Sequence, residues 1–382
     1  MPSKSSQSPN YGSMTKQAIS LPEMISKVFP SYLQKVEDLV ENQRMHNLER
    51  LFLFGSGDSN FVGLSVQYAF ESIAALPLEV LSSLKFSRYT IKHLPQSIKE
   101  SAMAIGISVS GTSSRTREGM IAARNGALKT IALSSKESEF TEMATSFLVA
   151  NTPEFHDPEP NGTPGVRSFA ANHLILLLLA IKIGEKKRNI SQEKAAELID
   201  EIKQQAILIS STISAAESTI SQIVPKWRGH TEYVFVGAGP NYGSALFAAA
   251  KFIEANGDFA IAQETEEWAH LNYYNKKIET PTIVISGGRQ DISRTSEILN
   301  AAKTIGRQTM LIGPKDCEAL SKQADYWIEI PECSESIVPL HICALSSIIA
   351  CKRSQLMGEI YFRENNTVET SRIRDSLITA PN

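Results

Sequence analysis

The chain is short of several things, and each shortage closes a class of function. It has no basic excess: 38 Lys and Arg face 41 Asp and Glu, a formal net charge of −3. A nucleic-acid surface needs clustered positive charge to displace counterions, so no nucleic-acid partner is expected. Only four cysteines occur in 382 residues (Cys317, Cys333, Cys343 and Cys351), with no CxxC pair. That argues against a disulfide framework or a zinc site and fits reduced thiols in a cytoplasmic protein. The longest apolar run, LILLLLAIKIG, falls short of the roughly 20 residues a membrane crossing requires, so it reads as a buried helix. The N-terminal MPSKSSQSPNYGSMTKQ has no apolar segment and reads as a disordered tail, not a secretory signal. No His, Cys, Asp or Glu cluster has metal-ligand spacing, so neither a metal nor a cofactor is expected.

What is present is a duplication. RLFLFGSGDSN (residues 50–60) leads through a helical stretch to AIGISVSGTSSRT (104–116), then an amphipathic helix and the strand TIALSS. EYVFVGAGPNYGS (232–244) leads likewise to TIVISGGRQDISRT (282–295), a helix and the strand TMLIGP. Strands alternating with helices mean βαβ units, so each copy is expected to be an α/β domain with a parallel sheet flanked by helices. The expected order is a disordered tail (1–20), an N-terminal helical segment interrupted at Pro30 (21–47) and a first domain (48–187). A helical linker (188–228), a second domain (229–358) and a C-terminal tail (359–382) follow.

The first copy crowds Ser108, Ser110, Thr112, Ser113, Ser114 and Thr116 behind an apolar strand. In an open parallel sheet ligands bind beyond the carboxyl ends of the strands. A helix start there offers free backbone N–H groups, and the hydroxyls add neutral donors, an arrangement suited to an anion with several oxygens. An N-cap alone would need only one of them. There is no GxxxxGK[ST] loop, and neither GSGDSN nor GAGPNYG carries the third glycine of a dinucleotide fingerprint. The anion is therefore not expected to be a nucleotide. Ser59, in the first glycine turn, would share this edge. The second copy has lost the hydroxyls and offers Ser286, Gly287, Gly288 and Arg289 instead.

These motifs resemble the double-domain branch of the SIS (sugar isomerase) family, over roughly residues 48–358. The branch includes the isomerase half of glucosamine-6-phosphate synthase and fructosamine-6-phosphate deglycases. The resemblance implies two tandem SIS domains, doubly wound and flavodoxin-like. The family's S-x-S-G-x-[ST] loop matches Ser108-Val109-Ser110-Gly111-Thr112-Ser113, which implies that Ser59, Ser108, Ser110 and Ser113 hold the sugar's anion, with Thr112 and Arg115 beside them. KFIEANGDFAIAQETEEWAH matches the stretch from catalytic glutamate to ring-opening histidine without a gap. It implies Lys251 as the active-site lysine, Glu254 as the base, Glu267 as a further acid and His270 as the ring-opening group. In this family that histidine serves a neighbouring subunit, which implies a homodimer with a shared active site. GTPGVRSFAANH resembles a segment that places Val166 and Ser168 by the sugar.

Read from the residues alone, Glu254 is equally a solvated helical carboxylate, Lys251 its ion-pair partner one helical turn away, and His270 a loop histidine. The chain also departs from the family pattern. Its end, TSRIRDSLITAPN, holds Arg372, Arg374 and Asp375 but no lysine for a Schiff base, and glutamine-driven amination is not expected. Val109 replaces a glutamine, and Lys85 a glutamate. The expected activity is an aldose–ketose isomerisation of a sugar with an anionic C6 group, a phosphate or a sulfonate as in sulfoquinovose. A deglycase or deaminase, and a non-catalytic sugar-phosphate sensor, are the alternatives.

Overall fold

The computed structural model describes residues 12–43, 45–156 and 162–363. Two helices open the described chain, α1 (Ser13–Ile19) and α2 (Leu21–Asn42). The first sheet follows: β1 (Arg50–Gly55), α3 (Asp58–Ser72), β2 (Leu78–Ser82), β3 (Ala102–Ile107), α4 (Ser114–Asn125), β4 (Lys129–Ser134) and β5 (Ser146–Val149). Then come α5 (Arg167–Lys186) and the long α6 (Gln192–Lys226). The second sheet repeats the pattern: β6 (Glu232–Gly237), α7 (Pro240–Asn256), β7 (Phe259–Glu264), α8 (Thr265–His270), β8 (Thr282–Ile285), α9 (Ile292–Thr304), β9 (Thr309–Pro314) and β10 (Tyr326–Ile330). Helix α10 (Val338–Met357) closes it.

Every strand pairing is parallel, in the orders β2-β1-β3-β4-β5 and β7-β6-β8-β9-β10. Both read 2-1-3-4-5, the flavodoxin-like order, as expected. The inner strands are nearly pure apolar runs, β3 (AMAIGI) being buried throughout, because helices cover both faces. In this order the chain reverses direction between β1 and β3, so the loops after those two strands open onto one crevice. Ser59 and the Ser108 loop stand on it for topological reasons.

The domains meet through α3 and α7, flanked by α5 and α10. Gly243 permits the close approach: a Cβ there would come within 2.6 Å of the Phe61 carbonyl oxygen and the Ser65 nitrogen. The apolar run of α5 is a core helix, as expected; its membrane-length window is 83% buried within the fold.

Two expectations near the N-terminus are corrected. Residues 13–19 form a helix with Ser13, Met14, Thr15, Gln17 and Ala18 buried, where a disordered tail was expected over 1–20. Local polarity hid a tertiary role: Gln17 Oε1 accepts the N–H groups of Val166 (3.2 Å) and Arg167 (3.3 Å), capping α5 from another part of the chain. Helix α2 runs unbroken through Pro30. Proline removes one i→i−4 bond there, to Ser26, but both residues are exposed and water can satisfy the freed carbonyl. The expected C-terminal tail lies outside the described residues from 364 onward.

Candidate active site

The first glycine turn sets the crevice. Gly57 sits at φ 56°, ψ −131°, a conformation open essentially to glycine alone, and turns β1 abruptly into α3. The turn leaves Asp58 and Ser59 as the first residues of α3, with Ser59 8% exposed. Across the switch point Ser108 is buried, and its hydroxyl has no partner among the described residues. Ser110 and Thr112 stand exposed, their hydroxyls 2.7 Å apart, and Ser113 caps the start of α4. An unpartnered buried hydroxyl beside a helix start is a donor set awaiting an acceptor.

Behind the loop runs a chain of hydroxyls that the sequence reading did not identify. Ser56 donates to Ser83 (3.2 Å), Ser83 and Thr116 lie 2.9 Å apart, and Thr116 donates to Ser113 (3.1 Å). With Thr116's proton committed to Ser113, Ser83 donates to Thr116 and Ser113 keeps its own proton for a ligand. Arg115 is already paired: with Arg88 it grips the fully buried Glu118, the Arg88 Nε bond being 2.6 Å. Two guanidiniums thus stand beside the loop with Glu118 between them.

The second domain reaches this edge through Lys251 on α7. Lys251 is completely buried, yet its ammonium bonds two carboxylates, Asp58 Oδ2 at 2.8 Å and Glu254 Oε2 at 2.5 Å. It also lies 4.8 Å from the centroid of the Phe247 ring. Burial acts to lower its pKa, but the Coulombic pull of Asp58, then of Glu254, outweighs burial, and the net direction is upward. Glu254 keeps 28% of its side chain exposed and Asp58 25%, so both carboxylates have an open flank. Gly165 presses on the same place: a Cβ there would meet Ser168 Oγ at 2.8 Å and Asp58 Oδ2 at 3.7 Å. Ser59, Ser168, Lys251 and Glu254 are thus gathered around Asp58, while Val166, fully buried, holds the loop's root.

His270 is not gathered with them. It ends α8, 70% exposed, its Nε2 lying 3.0 Å from Glu266 Oε1. Glu267, on the same short helix, is exposed as well. Within one chain this flank of the second sheet faces solvent.

The second domain's own loop explains what became of its hydroxyls. Gly239 repeats the Gly57 conformation at φ 52°, ψ −128°. Yet Ser286 donates to Asp291 (2.8 Å), and the Gln290 N–H donates to Glu335 Oε1 (3.0 Å). The donors that the first loop leaves open are here spent on the chain's own carboxylates. Burial, first among several influences, raises the Asp291 pKa.

Known proteins share this fold. No family model matches the chain. The isomerizing glutamine–fructose-6-phosphate aminotransferase of Gloeobacter violaceus is 23% identical over 296 residues, 77% of this chain and 47% of that protein. The chain spans about half the length of the curated relatives it matches. Among solved structures, the C-terminal domain of glucosamine-fructose-6-phosphate aminotransferase from Francisella tularensis superposes with a TM-score of 0.78 at 16% identity. The match covers 95% of this chain and all of that one. A candidate phosphosugar isomerase from Clostridium difficile 630 superposes with the same TM-score at 19% identity, covering 96% and 99%. The fold is the tandem SIS fold.

Asp58 and Ser83 are the residues near this crevice that sequence reading missed. Asp58 had a signal, an acid inside the glycine turn one residue before Ser59. Ser83 meets the hydroxyl run, through Thr116, only by contacts made in folding.

Proposed function

We propose that this double-SIS chain interconverts an aldose and its ketose, the sugar carrying an anionic group at C6. The observation that carries the reading is the Asp58–Lys251–Glu254 bridge, which ties a carboxylate of the second domain to the glycine turn of the anion loop. Ser59, Ser108, Ser110, Thr112 and Ser113 would hold the anion, with Arg115 adding charge nearby. That grip lies away from the reacting carbons, so its binding energy positions them. Glu254 takes a proton from C2 of the open aldose, and the electron pair moves into an enediol. Returning the proton to C1 gives the ketose, with no oxidant or reductant consumed. Val166 and Ser168 border the sugar. His270 and Glu267, exposed in one chain, belong to the mouth of a partner's site in a homodimer, where His270 opens the ring.

Proton NMR in D₂O tests the reading on glucose-6-phosphate, fructose-6-phosphate, glucosamine-6-phosphate, a fructosamine-6-phosphate and sulfoquinovose. Ketose formation, or deuterium entering C1 or C2 of one pair, is expected, and it names the anion as phosphate or sulfonate. Amine release instead would replace the isomerase with a deglycase or deaminase. Ligand-induced shifts without turnover would make the protein a sensor and end the proposal.

The hydroxyl chain makes a separate prediction. Thr116→Val keeps the shape but removes the donor that leaves Ser113's proton free. One hydrogen bond of about 1 kcal/mol predicts a KM about three- to tenfold higher with kcat unchanged, and Thr116→Ser should restore it. An unchanged KM in the valine variant would remove the chain from the anion grip.

A further inference from the structure

Asp58 raises a question of charge. Lys251 has no exposed surface and bonds two carboxylates, from two different domains. One carboxylate suffices to neutralise an ammonium. A second becomes useful when the first must at some moment be neutral, and a proton-transferring base is neutral between taking its proton and returning it. Were Glu254 the sole partner of Lys251, each proton uptake would strand a buried ammonium, which is strongly unfavourable. The same ammonium would hold Glu254 anionic and weaken it as a base.

Resting on the reading of Glu254 as the base, we propose that Asp58 is a positioning residue that keeps Lys251 paired while Glu254 takes and returns the substrate proton. It has the geometry for this: Oδ2 lies 2.8 Å from the ammonium and comes from the first turn of α3, a different domain from the helix that carries Glu254. Other charged groups on the elements around α7 are engaged elsewhere. On α10, Arg353 pairs with Asp258 and Lys352 with Glu217. On β6, Glu232 pairs with Lys277, and on β7, Glu264 accepts the Glu266 N–H. The Cys343 thiol of α10 lies close enough to sense both Lys251 and Asp58, and burial pushes its pKa up and keeps it protonated. On the same helix His341 is held by Gln205 and Thr212, and Cys351 by Tyr361; on α3, Glu71 accepts from Gln67.

The test is the pH dependence of kcat and KM for the pair identified by NMR, in wild type, Asp58→Asn, Asp58→Glu and Glu254→Gln, with folding checked by thermal melts. Removing the Asp58 charge leaves Glu254 under the full pull of Lys251. Asp58→Asn should lose about tenfold or more in kcat with KM little changed. The acid limb of its kcat profile should move about one unit lower in pH. Asp58→Glu should recover most of the rate. Should the asparagine variant not fold, Asp58→Thr, neutral and still able to accept a hydrogen bond, carries the same expectation. An acid limb that stays in place, or an effect confined to KM, overturns the proposal while leaving Glu254 as base. Wild-type turnover in Glu254→Gln overturns the base itself, and with it any proton transfer for Asp58 to serve.

Discussion

Glu254→Gln should lower kcat by about 10²- to 10⁴-fold, the range that positioned acid–base groups supply. Glutamine has the size of glutamate and keeps an oxygen for Lys251, so the bridge survives; what disappears is the ability to accept a proton. Lys251 stays neutralised by Asp58 at 2.8 Å, and the variant should fold and melt close to wild type. Binding should persist as well, because the proposed anion grip belongs to α3 and the Ser108 loop of the first domain. Calorimetry with the substrate and ketose formation measured side by side separate the two effects. Retained affinity with lost turnover is the expected pattern. Retained turnover would move the proton to another group, and affinity lost in step with turnover would make Glu254 a binding residue.

Much of this architecture was legible before the structure. The duplicated strand–glycine turn–helix pattern announced two parallel sheets, because a strand buried on both faces must be apolar along its length, as RLFLFG and AMAIGI are. The Ser108 loop stood out because it holds more hydroxyls than a cap needs. The edge strands were less visible. β2 (LEVLS) and β7 (FAIAQE) mix polar residues into short runs, since each stands at the end of its sheet, pairs on one side only and is only partly buried. The first helix was invisible for another reason. Its seven residues, SMTKQAI, are too few to hold a helix alone, and it is tied down by tertiary contacts such as Gln17 with two N–H groups 149 and 150 residues away. Likewise nothing local tells that Asp58 and Lys251, 193 residues apart, share a bond. Sequence shows periodicity and motif; it does not show which buried charges will meet.

That meeting predicts a large effect on stability. Lys251→Met should destabilise the fold by about 3 kcal/mol, near the lower end for removing one partner of a buried ion pair. Methionine fills much of the lysine's volume, so the cost is electrostatic: two carboxylates at the domain junction lose the ammonium they share. Each keeps about a quarter of its surface in water, which holds the cost below that of a sealed pair. In the wild type the Lys251 pKa is held above its ordinary value, so its contribution is complete below about pH 10 and lost as pH rises through the folded-state value. In Lys251→Met the order reverses. The penalty should be greatest at pH 8, where both carboxylates are charged, and smaller at pH 5, where one can take up a proton. Urea midpoints at the two pH values measure this directly. Adding Asp58→Asn removes one of the repelling charges, and the double variant should be more stable than Lys251→Met alone, a strongly non-additive result. Additive losses with no pH dependence would reduce Lys251 to a packing residue, and the carboxylates beside it would need another explanation.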